Sequence, residues 1–146
     1  MTSIILTSDH AGYPLKEAVK SYLSDHDFGV VDLGPFDDQT VDYPDFAATA
    51  AREISEGRIP WGIFLCGSGI GMAIVANRFH GVRAVHCLDI QTAEMARKHN
   101  NANVLTLGGR TTSVEKALEI VDVFLNTGFD GGRHQRRVEK IDKVTC

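Results

Sequence analysis

The chain has 146 residues, of which 43% are hydrophobic and 23% are charged, and its formal net charge at pH 7 is −4. This acidic balance argues against nucleic acid or an anionic membrane as a partner. No apolar run approaches the roughly 20 residues that a membrane-spanning helix needs. The length and the ordinary composition predict one domain over residues 1–146, with a sizeable core.

The start of the chain and its cysteines indicate a reducing compartment. Residues 1–6 lack the basic start and the long apolar stretch of a signal peptide, and they are predicted to form the opening strand of the mature protein. Cys66, Cys87 and Cys146 are odd in number and form no C-x-x-C pair, which argues against a disulfide framework and a structural zinc site. We therefore expect a cytoplasmic protein, with Cys87 buried and inert and Cys146 an exposed thiol.

Short apolar runs alternate with segments in which apolar residues recur at helical spacing. In chain order, strands are predicted at 4–7, 29–33, 61–65, 83–87 and 104–107, and helices at 13–24, 44–56, 70–77, 90–99 and 113–125. Residues 34–42 form a polar loop between the second strand and the second helix. Short strands that alternate with helices predict an α/β fold with a parallel sheet covered on both faces.

A glycine-rich turn, Cys66-Gly67-Ser68-Gly69-Ile70-Gly71, follows the apolar strand 61–65 and precedes the helix 70–77. Such a strand–turn–helix directs backbone N–H groups to one spot at the positive end of the helix dipole, where an oxyanion or a phosphate is bound favourably. The same field favours the thiolate form of a cysteine. The turn therefore predicts a nucleophile or base beside an anion hole, although a cysteine can also be a small buried hydrophobe.

Three familiar nucleotide- or phosphate-binding motifs fit this turn poorly. A dinucleotide fingerprint requires G-x-G-x-x-G, but its third glycine is replaced by Met72. Asp89, after the next strand, stands where an acid would bind a ribose, so this interpretation is weakened and remains open. A Walker loop would need Gly-Lys-Ser/Thr, which is absent, and a cysteine-phosphatase loop would need arginine at position 72.

Other polar residues lie next to predicted strands. Ligands of doubly wound sheets bind outside the carboxyl ends of the strands, and we expect these side chains to converge with Cys66 on one rim. They are Asp9 and His10 after the first strand, His99 and Asn100 before the fifth strand, and Arg110 after it. Asp9 can instead cap the first helix or the turn that precedes it, and His99 can instead be a partner of the helix dipole.

Residues 131–143 are basic, with five Lys or Arg against two acids in an otherwise acidic chain. If this segment is helical, Arg133 and Arg137 lie four residues apart on one face, with His134 beside them. Two guanidinium groups on one face suit a phosphate. The alternative is a solvated basic tail.

Taken together, the motifs resemble those of the type B ribose-5-phosphate isomerases, within the ribose/galactose isomerase family. The resemblance runs from the first strand to about residue 141. It is carried by segments 8–12 (SDHAG), 42–44 (DYP), 66–71 (CGSGIG), 76–78 (ANR), 97–100 (RKHN), 103–105 (NVL) and 131–138 (GGRHQRRV). Each is weak alone, but their order and spacing together are specific.

The resemblance implies a three-layer α/β/α sandwich with a Rossmann-like, five-stranded parallel sheet in the order 2-1-3-4-5. It also implies a homodimer, or a dimer of dimers, in which each site draws residues from two subunits. The C-terminal basic helix, at about 131–143, would then reach into the neighbouring subunit's site across a two-fold axis.

The implied reaction converts an aldose phosphate to its 2-ketose through a cis-enediolate, without metal or cofactor. By position, Cys66 is the base and His99 is the acid that opens the sugar ring. The backbone from Gly67 through Ser68, Gly69 and Ile70 to Gly71 is the anion hole. The sugar contacts are Asp9, Tyr43 and Asn100, and the phosphate contacts are His10, Arg110, Arg133 and Arg137, with His134 nearby. Some relatives carry serine and a glutamate base at positions 66 and 70; Cys66 and Ile70 place this chain in the cysteine branch.

Ribose 5-phosphate and ribulose 5-phosphate are therefore the expected substrate and product. A six-carbon sugar phosphate, such as allose or galactose 6-phosphate, is the alternative within the same chemistry. A nucleotide- or phosphate-binding regulatory module is an alternative of another class. The set Cys66, His99, Asp9 and Arg137 disfavours it, since a binding module needs neither a base nor a ring-opening acid.

Overall fold

Five parallel strands form one sheet in a computed structural model that describes residues 1–144. The strands are β1 (Ser3–Ser8), β2 (Gly29–Asp32), β3 (Trp61–Cys66), β4 (Ala84–His86) and β5 (Val104–Gly108). The helices are α1 (Tyr13–Asp25), α2 (Tyr43–Ser55), α3 (Ile70–Ala76), α4 (Ile90–Asn100), α5 (Val114–Asn126) and α6 (Arg133–Lys143). The predicted alternation of strands and helices is confirmed, and the basic segment is helical.

The sheet lies between two helical layers, as the three-layer prediction requires. Apolar side chains of α1, α4 and α5 pack on one face of the sheet, and those of α2 and α3 pack on the other. Alternate residues of the strands therefore enter different cores. Ile4 and Leu6 face the first layer, while Ile5 between them faces the second. Both faces of the central strands are buried, which is the usual state of a parallel sheet.

The strand order is 2-1-3-5-4, so the predicted order 2-1-3-4-5 is wrong for the last two strands. All five residues of β5 are buried, whereas β4 has three residues of which only Ala84 is buried. The more apolar and longer strand takes the interior position, and the short strand takes the edge. As a consequence, β5 pairs directly with β3, and Cys66 is the register partner of Gly108.

Side-chain caps fix the starts of two helices. Asp89 accepts a hydrogen bond from the Thr92 N–H at 2.7 Å at the start of α4, and Ser113 accepts one from the Lys116 N–H at 3.2 Å at the start of α5. The hydrogen bond from Thr92 is the main cause of the lowered pKa of Asp89. Asp89 is therefore engaged as a cap, which removes the acid that the dinucleotide interpretation needed.

Cys87 is fully buried, as predicted, and burial followed by the nearby Asp89 charge raises the pKa of its thiol to about 12. The predicted exposure of Cys146 concerns a residue outside the described range. Within residues 1–144, none of the helices combines the length and the apolar character needed to cross a bilayer.

Candidate active site

The thiol of Cys66 lies at the carboxyl end of β3, in the wall of a cavity of about 590 Å³. Its Sγ accepts a hydrogen bond from the backbone N–H of Gly69 at 3.1 Å. In the same turn, the Oγ of Ser68 accepts one from the N–H of Ile70 at 3.2 Å. Two amide donors of the turn therefore engage its own thiol and hydroxyl at the start of α3, and anion binding by the turn stays a prediction.

Two glycines make this turn possible. Gly69 has φ of +82°, in the left-handed region that disfavours a side chain, and a Cβ there would lie 2.7 Å from the Nδ1 of His86. At Gly71 a Cβ would overlap the ring of Tyr43. Glycine at position 71 thus lets the Tyr43 ring close one side of the cavity.

The loop after β5 forms another side of the cavity. The Gly109 N–H donates to the Cys66 carbonyl at 2.8 Å, and the Arg110 N–H donates to the Gly67 carbonyl at 2.9 Å. These bonds follow from the pairing of β5 with β3. They hold the exposed Arg110 side chain beside the glycine turn, where a guanidinium suits an anionic ligand.

Asp9 is both a structural and a cavity-lining residue. Its side chain is 7% exposed, and Oδ1 accepts a hydrogen bond from the Gly12 N–H at 2.9 Å just before α1. The carboxylate also faces the cavity that holds Cys66. Asp9 therefore caps the turn that precedes α1, whereas α1 itself has no side-chain cap, and the residue remains beside the thiol.

His10 follows Asp9 and is half-buried, but it does not line this cavity. Its Nδ1 lies 3.2 Å from the backbone N of Val41, whose N–H is the donor. With Nδ1 accepting, the proton of a neutral ring is on Nε2. The polar loop 34–42 thus orients the His10 ring through a contact within the protein itself.

Two other predicted site residues, His99 and Asn100, lie away from the Cys66 cavity. A helix between parallel strands begins at the carboxyl edge of the sheet and ends at the amino edge. His99 and Asn100 end α4 and precede the first residue of β5, whereas Cys66 is paired with the last residue of β5. About 13 Å of strand separates the two ends of β5. The expectation that these residues converge with Cys66 on one rim is wrong within one chain.

His99 instead belongs to a second group, built with α6. The rings of His99 and His134 stack with centroids 4.6 Å apart and planes inclined by 17°. The pKa of His134 is lowered, first by desolvation and then by the charges of His99, Arg133 and Arg137. Arg133 and Arg137 are exposed on the same helix. This group is the ring-opening and phosphate-binding half of the predicted site.

The end of α4 is held rigidly by Arg97, which is 5% exposed. Its guanidinium donates to the carbonyls of Thr127 at 3.1 Å and Ala102 at 2.7 Å, and to the Oδ1 of Asn101 at 2.8 Å. It also lies 4.4 Å from the centroid of the Trp61 ring. His99, two residues further along, is therefore presented from a fixed backbone.

A second cavity of about 630 Å³ lies between the α3–β4 connection and the end of α6. Asn100 is the only predicted site residue that lines it. The carboxylate of Asp142, which also lines this cavity, is paired with Arg83 at 2.9 Å. Since this second cavity contains neither a thiol nor a glycine-rich turn, it is the weaker candidate for catalysis despite its size.

Three residues in or beside the turn that follows Cys66 were not among the predicted site residues. Thr111 and Ile74 line the Cys66 cavity, and His86 packs under Gly69 with its Nδ1 3.2 Å from the Thr106 carbonyl. Thr111 was detectable as the neighbour of Arg110. The contact of His86 with Gly69 joins two segments that are distant in the chain, and no local pattern of the sequence shows it.

The chain is similar in sequence to known proteins over nearly its whole length. The sequence pattern of the ribose/galactose isomerase family matches residues 4–141. Ribose-5-phosphate isomerase B of Escherichia coli (strain K12) is 39% identical over 144 residues, which cover 99% of this chain and 97% of the relative. D-erythrulose-4-phosphate isomerase of Pectobacterium atrosepticum is 43% identical over 143 residues, which cover 97% of this chain and 93% of the relative.

Solved structures share both fold and length. A ribose 5-phosphate isomerase from Thermotoga maritima has a TM-score of 0.94 at 50% identity, covering 98% of this chain and 99% of the other. Ribose-5-phosphate isomerase B from Mycoplasma genitalium, with bound ribulose-5-phosphate, has a TM-score of 0.92 at 42% identity, covering 97% and 95%. The structure defines an α/β protein with a thiol and a glycine-rich turn at the carboxyl edge of its parallel sheet. This chain belongs to the ribose/galactose isomerase family.

Proposed function

We propose that this protein is an aldose–ketose isomerase that interconverts D-ribose 5-phosphate and D-ribulose 5-phosphate. The observation that carries the proposal is the Cys66 thiol, hydrogen-bonded to the Gly69 N–H at 3.1 Å in a cavity that also holds Asp9 and Arg110. The isomerase names of relatives over nearly the whole chain support it. A regulatory module would need an anion-binding turn but no base inside it.

The cavity supplies what proton transfer next to a carbonyl requires. Cys66, as thiolate, removes the proton from C2 of the open-chain aldose, and the returned proton goes to C1. The negative charge that develops on the substrate oxygens in the enediolate is stabilised by backbone N–H groups between Gly67 and Gly71. The fold fixes the backbone of this turn before substrate binds, and the N–H groups of Gly69 and Ile70 would exchange their present Cys66 and Ser68 partners for the substrate oxygens. Tyr43 and Asp9 border the space that the sugar hydroxyls would occupy.

Ring opening and part of the phosphate binding come from a second copy of the chain. The residues proposed for these roles lie at the amino edge of the sheet or on α6: His99, Asn100, Arg133, His134 and Arg137. The Cys66 cavity lies at the carboxyl edge of the sheet. A homodimer in which α4 and α6 of one subunit cover the cavity of the other brings the two halves together. In an isologous dimer each half-site would be completed in the same way.

The surface beside the cavity suits such a partner. Ile70 and Ile74 on α3 are 54% and 61% exposed at the cavity border. Large apolar side chains this exposed are typical of a surface that another protein covers. Arg110 and His10 of one subunit, with Arg133 and Arg137 of the other, would then surround the phosphate of the sugar.

A sugar phosphate of another length is the second candidate substrate, since one close relative is named for a four-carbon ketose phosphate. Isomerase assays on EDTA-treated protein should compare ribose 5-phosphate with allose 6-phosphate, galactose 6-phosphate and erythrulose 4-phosphate. We expect the highest kcat/KM with ribose 5-phosphate and no loss of rate on EDTA treatment. Turnover of another sugar phosphate without turnover of ribose 5-phosphate would reassign the substrate.

A further inference from the structure

Three potential metal ligands from separate segments meet at the group that carries His99. His99 ends α4, Asp130 lies in the connection between α5 and α6, and His134 is in the first turn of α6. One ligand atom from each, two imidazole nitrogens and a carboxylate oxygen, lie within 4.8 Å of one another. The segments are far apart in sequence, so this proximity is a product of the fold.

The backbone beneath these side chains is fixed. The Asp130 N–H donates to the Lys98 carbonyl at 3.1 Å, which ties the loop before α6 to the end of α4. At the other end of α6, Asp142 accepts hydrogen bonds from one Nη of Arg83 at 2.9 and 3.0 Å. The two histidine side chains are half-buried and that of Asp130 is exposed. The anchors therefore hold the ligand-bearing segments while the side chains retain room to turn.

Two imidazoles and one carboxylate are a common ligand set for zinc and for the later first-row divalent metals. Bonds of about 2.0–2.1 Å to one ion place tetrahedral ligand atoms about 3.3 Å apart. The atoms must therefore approach by up to about 1.5 Å, which rotation of half-buried side chains supplies. Three protein ligands leave a fourth position for water. Arg133 and Arg137 oppose a cation here, and the Asp130 carboxylate offsets part of that repulsion.

We propose that His99, Asp130 and His134 form an inhibitory site for a divalent transition metal such as Zn²⁺. Binding of the metal does not depend on any catalytic assignment. The inhibition rests on the proposed function, in which His99 opens the sugar ring. A metal on the imidazole nitrogen occupies the lone pair that would carry the proton, and it holds His134 away from the phosphate. Zinc would then compete with substrate.

Direct zinc binding tests the site separately from the reaction. EDTA-treated, full-length protein is titrated with Zn²⁺ against a chromogenic chelator, without substrate. We expect one zinc per chain, with binding weakened at least about tenfold in Asp130→Asn, since the loss of even an outer partner of a metal ligand typically costs that much. Glu139→Gln is the matched control, because it removes the same charge from an exposed position of α6 and should leave the affinity unchanged.

Cys66 is another potential zinc ligand, so zinc binding must also be measured in a variant that lacks this thiol. Cys66→Ala should bind zinc like the wild type, and the Co²⁺ complex should lack a thiolate charge-transfer band. Equal zinc affinity in wild type and Asp130→Asn would overturn the site. Loss of binding in Cys66→Ala, or an equal loss in Glu139→Gln, would overturn it as well.

Inhibition by zinc is tested with Asp130→Asn, because Asp130 is not among the proposed catalytic or substrate-binding residues. Without metal it should turn over like the wild type, and its half-inhibiting zinc concentration should rise by the same factor as its dissociation constant. EDTA should restore the wild-type rate. If zinc binds as expected but leaves turnover of an active enzyme unchanged, the inhibitory role is wrong. If the protein turns over no sugar phosphate, the proposed function fails while the binding result stands.

Discussion

Cys66 and Gly108 are register partners at the carboxyl ends of β3 and β5. Because these strands are neighbours, the loop after β5 hydrogen-bonds to the glycine turn through the Gly109 and Arg110 N–H groups. The proposed base and a proposed phosphate ligand are thus fixed to each other by backbone hydrogen bonds.

Cys66→Ala should abolish isomerisation while the fold is retained. Loss of a positioned base typically costs about 10²–10⁴-fold in rate, and the substitution removes one buried atom without adding charge. Steady-state kinetics measure the rate, and circular dichroism checks the fold. Cys87→Ala is the control, since that thiol is buried away from the cavity, and it should keep near-normal kcat. A Cys66→Ala enzyme with near-normal kcat would refute the assignment of the base.

Alkylation gives an independent test of the same residue. Iodoacetamide should inactivate the enzyme in step with modification of the Cys66 peptide, as measured by mass spectrometry, and substrate should protect it. Cys87 should not react, since burial raises the pKa of its thiol to about 12. Inactivation that follows modification of any other cysteine would contradict the prediction.

Gly71→Ala should impair the enzyme through Tyr43. A Cβ at position 71 overlaps the Tyr43 ring, so the ring must move away from the cavity. We expect a clear fall in kcat/KM. A double-mutant cycle tests the route: in a Tyr43→Ala background, Gly71→Ala should have little further effect, because the clash is gone. Fully additive effects would show that Gly71 acts independently of Tyr43.

Asp32→Asn should destabilise the fold by leaving a buried charge unpaired. The Lys16 Nζ is fully buried and lies 2.7 Å from the Asp32 carboxylate and 2.7 Å from the Pro35 carbonyl. Breaking a buried pair typically costs 3–5 kcal/mol, and we expect about 3 kcal/mol in denaturant unfolding because the Pro35 contact remains. Glu17→Gln, an exposed neighbour 3.8 Å from Lys16, should change stability by less than about 0.5 kcal/mol.

The same pair predicts a pH dependence. Desolvation acts to raise the pKa of Asp32, but hydrogen bonds from Lys16, Lys20 and the Gly34 N–H outweigh it, and the pKa is lowered. A lowered folded-state pKa gives stability that is present above the ordinary carboxylate range and is lost as the pH falls through the lowered value. The stability difference between wild type and Asp32→Asn should therefore shrink in acid. A difference that stays constant down to pH 2 would contradict this.

The sequence predicted the α/β class because its hydrophobic periods are local. Each strand or helix is specified within its own segment, and most bounds agree to within one or two residues. Strand order was harder, because pairing joins segments distant in the chain. Even so, the run 104–107 is more apolar than the run 83–87. This difference in composition favours an interior position for β5 and an edge position for β4.

The Cys66 half of the site was predictable for a related reason. Asp9, the glycine turn and Arg110 each follow a strand directly, so the carboxyl edge of a parallel sheet brings them together. His99 precedes a strand, and the direction of α4 places it at the opposite edge. His99 was therefore predictable as a site residue, but its position at the amino edge was not. His86 gave no signal, because its contact with Gly69 joins two distant segments and depends on the way the helix α3 and strand β4 pack in the folded chain.

His99→Asn should impair ring opening more than proton transfer. Ribulose 5-phosphate lacks the hydroxyl needed to close a furanose ring, so its C1 proton exchange begins from an open chain. We expect exchange of that proton in D₂O to survive better than overall conversion of ribose 5-phosphate. Proton exchange followed by NMR, beside a coupled assay, measures both rates. Equal losses would mean that His99 orients substrate instead of opening the ring.

Mixing two impaired variants, assayed at substrate concentrations well below the raised KM of Arg137→Ala, tests whether the halves of the site come from different subunits. Arg137→Ala should raise KM strongly, by about the 1.5–3 kcal/mol of a hydrogen bond to a charged group. In a heterodimer of Cys66→Ala and Arg137→Ala, a shared site places both substitutions in one cavity and leaves the other intact. Each heterodimer should then regain up to half of the wild-type activity.

The mixing experiment requires proof that subunits exchange. Differently tagged subunits, recovered through both tags, show that heterodimers have formed. Cys66→Ala mixed with Gly71→Ala is the matched control, because both residues line the same cavity of one chain. That heterodimer carries one substitution in each cavity, and its activity should not exceed the average of the two parent variants. If heterodimers of Cys66→Ala and Arg137→Ala form and their activity also stays at the average of the parents, Arg137 does not act across the interface, and the proposed sharing of the site is wrong.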